Sequence, residues 1–151
     1  MAENVASVAV CACPIDLAAE DARLRGAVAG RAGAAVCFSG AVRGGGTRAL
    51  TLEHYPGMTE NALRQIAETA AHKWNLLAAR IVHRTGRMLP GDVIVFVGAC
   101  SAHRAESFAA AAYMADFLKT RAPFWKKEET AAGTRWVDAA AADEKARARW
   151  E

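Results

Sequence analysis

Apolar and polar positions along the chain fall into two periods, and the period changes mark the elements. Short apolar runs predict strands at "VASVAVCA" (Val5–Ala12) and "AAVCFSGAVR" (Ala34–Arg43), the second followed by a mobile glycine loop, "GGGT" (Gly44–Thr47). "ALTLEHY" (Ala49–Tyr55) sets Leu50, Leu52 and His54 against Thr51, Glu53 and Tyr55, the alternation of a half-buried strand. "ARIVHRTG" (Ala79–Gly86) and "VIVFVGACS" (Val93–Ser101), joined through the turn "LPGD", predict an antiparallel pair with one strongly buried member. Between these runs the spacing lengthens to that of helices. Pro14 and Asp16 introduce an alanine-rich helix to about Val28, closed by Gly26 and Gly30. Thr59 is the predicted cap of a helix running through Trp74, with Leu63, Ile66 and Ala70 on one face. From His103 to Thr120 the pattern predicts a long helix whose middle, "FAAAAYMADFL", is apolar almost all round and therefore enclosed. Pro123 ends it; "FWKKEET-AAG-TRWVD" predicts a hairpin and "DEKARARW" a frayed polar helix.

Strands and helices that mix without strict alternation, with no repeat and no linker, predict a single α+β domain over the 151 residues. The hydrophobic fraction of 53% and charged fraction of 23% describe a globular chain with a core. A net charge of +3 is too small for general nucleic-acid binding, so any basic function must come from local clustering. No apolar run approaches the roughly 20 residues of a membrane span. "MAENVASVAV" has no basic segment ahead of a signal-type core, and a cytoplasmic location is expected. Cys11 and Cys13 have no second cysteine pair or nearby histidine to complete a zinc site, while Cys37 and Cys100 sit in apolar runs as expected core residues. No resident metal or cofactor is expected.

Candidate chemistry lies in basic residues beside apolar ones. In "CSAHRAESF", a Ser101 cap puts His103 and Arg104 in the first helical turn, where cations oppose the macrodipole unless an anion binds there; a surface arginine held by Glu106 is the plainer alternative. Arg43 ends a strand and enters the glycine loop, where backbone can approach a ligand; the loop matches no phosphate-binding motif, and a plain flexible hairpin loop is the simpler reading. Lys119 follows Asp116 by three residues, so a local ion pair accounts for it without function. Lys126 and Lys127, adjacent on a strand, point to opposite faces; at most one shares a pocket with Lys119.

Taken together, "FSGAVR", "LTLEHYPGMTENAL", "VHRTGRMLPGDVIVFVGACSAHRAESF" and "LKTRAPFWKKE…G.RWV" resemble the large, catalytic subunit of molybdopterin synthase, from about Val36 to Val137. The resemblance implies an α/β-hammerhead fold with additional antiparallel strands. It implies sulfur transfer to cyclic pyranopterin monophosphate, making the dithiolene of molybdopterin. The implied donor is a small ubiquitin-like carrier whose C-terminal Gly-Gly ends in a thiocarboxylate, with a central homodimer of large subunits and one carrier at each end. Lys119 and Lys126 match the family's active-site lysines; Ala41, Val42 and Arg43, His103 and Arg104, and Lys126, Lys127 and Glu128 match its substrate-contacting segments.

Physical chemistry agrees with that assignment. A cyclic phosphate and a thiocarboxylate are both anions, and one opposite charge at ~4 Å supplies about 4 kcal/mol at an effective dielectric near 20, before desolvation. Arg43, His103 and Arg104 would hold the phosphate and pterin, Lys119 would meet the carrier tail, and Lys126 would assist by orienting substrate or moving a proton. Phe124 and Trp125 are expected to wall a channel narrow enough to admit only glycines. A basic contact across the dimer is expected near residue 140, but Ala139–Ala142 supplies none, leaving Arg147 or Arg149 as substitutes. The residues alone leave open a module that binds the carrier without transferring sulfur.

Overall fold

The structure is a computed structural model and describes residues 5–137 and 141–151. In order it contains β1 (Ala6–Cys11), α1 (Leu17–Ala27), β2 (Ala34–Ala41), β3 (Thr47–His54), α2 (Met58–Lys73) and β4 (Ala78–Arg84). These are followed by β5 (Gly86–Met88), β6 (Val93–Ser101), α3 (Arg104–Arg121), β7 (Phe124–Thr130), β8 (Gly133–Val137) and α4 (Ala141–Ala148). The strands form two sheets, ordered β1-β4-β6-β2 and β5-β3-β7-β8. Only the β1–β4 pairing is parallel; the others are antiparallel.

Helices cover both faces of the first sheet, which is why β6 reads as one unbroken apolar run. Val95, Val97 and Ala99 face α2 and α3, joining Leu63, Ile66, Met114 and Leu118 in the main core. Phe96 and Cys100 face α1, with Leu24 and Val28. Burial of each large side chain contributes about 1.5–3 kcal/mol. Gly98 lies between them because a Cβ there would sit 2.5 Å from Leu24 Cδ2. α1 therefore rests directly on the sheet. Arg80, 7% exposed, ties the same helix down through an ion pair to Glu20 and a 3.1 Å hydrogen bond to the Ser7 hydroxyl.

Four features differ from the sequence reading. The run Ala79–Gly86 is not one strand: Gly86, at φ 89°, turns the chain out of the first sheet so that β5 pairs with β3 in the second. α2 begins at Met58 on a Gly57 cap, and Thr59, its second residue, is fully buried. Its hydroxyl accepts from the Tyr55 N–H at 3.1 Å and donates to the Pro123 carbonyl at 3.0 Å, tying α2 to the turn before β7. α4 is docked rather than frayed: the Trp150 ring meets Trp74 and Tyr113 edge-on, at 5.6 and 5.7 Å. Cys37 is exposed, its thiol directed at Asp21 Oδ1, because it sits on an outer strand while Cys100 lies inside. The α+β class stands as expected, and among the described residues no helix is long and apolar enough to cross a membrane.

Candidate active site

The last turn of α3 and the start of β7 are joined by Ala122 and Pro123, and this short link sets Lys119 beside Lys126. β7 alternates: Phe124, Lys126 and Glu128 face inward to a cleft, while Trp125, Lys127 and Glu129 face away. Register with β3 fixes this choice, Lys126 lying opposite Leu52 and Glu128 opposite Leu50.

Two cavities meet at the lysines. The narrower, about 190 Å³, is walled by Leu50, Leu52, Ile94, Leu118 and Phe124, with His83 and Asp143 also on its lining. The wider, about 670 Å³, is lined by Ala41, Val42, Arg43, the loop glycines Gly44 and Gly45, Thr47 and Glu128. Leu50, Ile94, Lys119, Lys126 and Val137 border both. The lysines therefore stand at the junction of a tight compartment with mainly carbon side-chain walls and a wider, more polar one.

Each polar group is held by a nameable contact. Val42 exchanges backbone hydrogen bonds with the 91–92 turn, donating to Asp92 O at 2.9 Å and accepting from Gly91 N at 2.8 Å. That places Arg43 at the rim, where it is exposed and makes no ion pair among the described residues. Glu128 accepts from the Thr47 hydroxyl and, at 3.3 Å, from Arg135; the first bond holds its carboxyl below the usual range. Lys119 remains open to solvent through the cavity, yet protein around the amine lowers its pKa. The Lys126 charge lowers it further, and Asp143 works in the opposite sense. His83 is 5% exposed, stacks on Phe124 at 4.0 Å between ring centroids, and has its pKa pushed down to about 4. Burial is the main cause, with Lys119 and Lys126 adding to it.

Of the residues expected from sequence, Ala41, Val42, Arg43, Lys119, Lys126 and Glu128 line this cleft. The local explanation for Lys119 does not hold: Asp116 accepts instead from Arg149 at 2.8 Å and Trp150 Nε1 at 2.7 Å. Lys127 lies on the far face with its Nζ 5.4 Å from the Trp136 ring, as strand alternation required. Trp125 is no channel wall; it is 41% exposed and rests on Tyr55, because alternation turns it opposite to Phe124. His103 and Arg104 are exposed at the start of α3 and line neither cavity. They stand about 22 Å from Lys119 along the helix, at ~1.5 Å per residue. Ser101 does not cap that helix in the expected way, since His103 is the capping residue and the Ser101 hydroxyl turns to the His103 carbonyl and Ser107. Arg147 and Arg149 pair within the chain, with Glu144 and Glu151 and with Asp116; residues 138–140 lie outside the described ones. His83 was not among the site residues expected from sequence. Its placement in "VHRTG" carried no signal beyond the motif itself.

Comparison with known proteins matches this architecture throughout. A molybdopterin synthase catalytic subunit from Ralstonia nicotianae is 52% identical over 141 residues, covering 89% of this chain and 78% of that one. The solved structure of a molybdopterin biosynthesis MoaE protein from Burkholderia ambifaria superposes with a TM-score of 0.84 at 48% identity, covering 96% of this chain and 97% of the other. A molybdopterin synthase structure from Staphylococcus aureus follows at TM-score 0.76 and 31% identity, covering 85% and 95%. The family described as MoaE protein matches residues 10–121, and the chain belongs to that family.

Proposed function

We propose that this chain is the catalytic subunit of a molybdopterin synthase, moving sulfur from a carrier protein to cyclic pyranopterin monophosphate. One observation carries the reading: Lys119 and Lys126, from different elements, converge where a tight compartment opens into a wide one rimmed by Arg43. The wide compartment suits the cyclic phosphate, with Arg43 for phosphate and the glycine loop allowing close approach. The tight one suits an extended tail without side chains, its anionic end reaching the two ammonium groups. Relatives named catalytic subunits imply a second subunit, and the carrier ending in a Gly-Gly thiocarboxylate fills that role.

At the junction, Lys119 stabilises negative charge on the tail's carbonyl oxygen as sulfur departs. Lys126 holds the acceptor and stands within reach to move a proton. Each sulfur lost from the acyl carbon is replaced there by oxygen from water, so the tail leaves as a carboxylate. No resident metal or cofactor takes part in this scheme. A cytoplasmic setting suits the four free cysteines. Because His103 and Arg104 cannot reach their own chain's cleft, they act in the wide compartment of a second copy, within the proposed homodimer.

The test is reconstitution with a thiocarboxylated carrier and the precursor. Dithiolene product is expected from the wild type, and Lys119→Ala should lower its rate by on the order of 10²–10³ while carrier binding persists. No product from the wild type with a competent carrier would remove the reading.

A further inference from the structure

His83 occupies a position the sulfur-transfer scheme leaves unexplained. It is 5% exposed, on the lining of the tight compartment, and one ring face stacks on Phe124 at 4.0 Å between centroids. Its Nδ1 lies 3.1 Å from the Arg84 carbonyl oxygen, which accepts only, so Nδ1 carries the proton and donates. Nε2 is then a bare acceptor, and among the described residues no hydrogen bond reaches it. The charged groups around the ring are Lys119 from α3, Lys126 from β7, Asp143 from α4 and its neighbour Arg84 on β4. Burial disfavours a charged ring and the two nearby ammonium groups add to that, so the ring stays neutral and Nε2 stays an acceptor.

The rest of that compartment offers a peptide few side-chain acceptors, the Asp143 carboxylate at the α4 end being the other one among the described residues. Of its described lining side chains, seven are aliphatic or aromatic carbon walls from Leu50, Leu52, Ile94, Leu118, Ala122, Phe124 and Val137. Two are cations, one is a carboxylate at the α4 end, and His83 is the only neutral polar group. An extended tail entering such a space loses water from its backbone N–H groups as well as its carbonyls. Each buried N–H without an acceptor loses its hydrogen bonds to water with nothing in return. The lysines serve carbonyls and the terminal anion, but they cannot accept a hydrogen bond.

We propose that His83 contacts the sulfur donor directly, its Nε2 accepting a hydrogen bond from a backbone N–H of the tail's terminal glycines. This inference rests on the proposed function and names what positions the donor within the same site. It makes His83 a specificity determinant for peptide backbone rather than a proton carrier.

The experiment is a double-substitution cycle read by calorimetric Kd. One axis is the chain, as wild type, His83→Phe or His83→Gln. Phenylalanine keeps the stack and removes the acceptor, whereas glutamine keeps an acceptor and loses the stack. The other axis is a semisynthetic Gly-Gly carrier in its carboxylate form, with glycine or N-methylglycine at each of the last two positions. For the wild type, methylation at one of the two positions should weaken binding about tenfold. His83→Phe should bind the glycine tail about tenfold more weakly and lose no more on methylation, while His83→Gln should retain the discrimination. Equal methylation losses in wild type and His83→Phe at both positions would overturn the proposal, since steric cost alone gives that pattern. If His83→Phe does not fold, His83→Leu replaces it as the variant without an acceptor: a smaller methylation loss than in the wild type supports the proposal and an equal loss at both positions overturns it. Sulfur transfer by the wild type from the thiocarboxylated glycine carrier is measured alongside. Product without the binding coupling removes only the His83 role, whereas absence of product removes the parent reading.

Discussion

The two ends of α3 both carry basic residues, and their surroundings could hardly differ more. At the C-terminal end Lys119 enters a cleft built by strands of both sheets and by α4, with its charge favoured by the helix dipole and opposed by burial and by Lys126. At the N-terminal end His103 and Arg104 stand exposed, with their charge set against the dipole. One end is finished within the chain. The other is left open to whatever meets it, as the proposed role in a second copy's cleft requires.

Breaking the contrast in trans gives the largest effect. Lys119→Ala and Arg104→Ala should each abolish most sulfur transfer, but for different sites in the assembly. Mixing the two inactive variants under subunit exchange should restore about a quarter of wild-type activity, because half of a random dimer population carries one intact composite site. No recovery on mixing would return Arg104 to its own chain and dissolve the contrast.

Acid stability sharpens the buried side. His83 has an ordinary pKa near 6.5 and a folded one near 4, so the unfolded chain takes up a proton that the native one refuses. The associated stability is complete above about pH 6.5 and is lost as pH falls toward 4, amounting to ~3 kcal/mol. Urea unfolding at pH 7 and pH 4.5 should show this loss in the wild type and a smaller one in His83→Phe. Smallest is the response of Lys119 itself, followed by NMR of its side-chain resonances. Lys126→Ala should raise its pKa by removing a neighbouring charge, and Asp143→Asn should lower it. Opposite signs would mean that Lys119 takes its environment from elsewhere.

Much of this was legible in sequence wherever the signal was local. The alternation of "FWKKEE" separates Lys126 from Lys127 without any structure, and the unbroken apolar run of β6 announces a strand covered on both faces. What escaped was decided by partners far along the chain. Asp116 is taken by Arg149 and Trp150, so nothing near Lys119 in sequence shows that its local ion pair is absent. Thr59 suggested a helix cap because its hydroxyl is suited to one, but Pro123 claims that hydroxyl from 64 residues away. The break at Gly86 depends on β3 being available to receive β5, which no window around Gly86 contains. His103 and Arg104 were legible as an anion-binding pair, but not their distance from the lysines, because sequence order says nothing of which end of a helix a cleft occupies.

The doubled letters of Lys126-Lys127-Glu128-Glu129 make β7 partly degenerate. A slip of one residue against β3 would present Lys127 and Glu129 to the cleft and leave its charge pattern unchanged. Electrostatics therefore cannot proofread this strand. The aromatic doublet ahead of it can: the slipped register would drive the Trp125 indole into the space that Phe124 fills against His83. The difference in volume between two neighbouring rings thus guards against misthreading where the charges are blind to it.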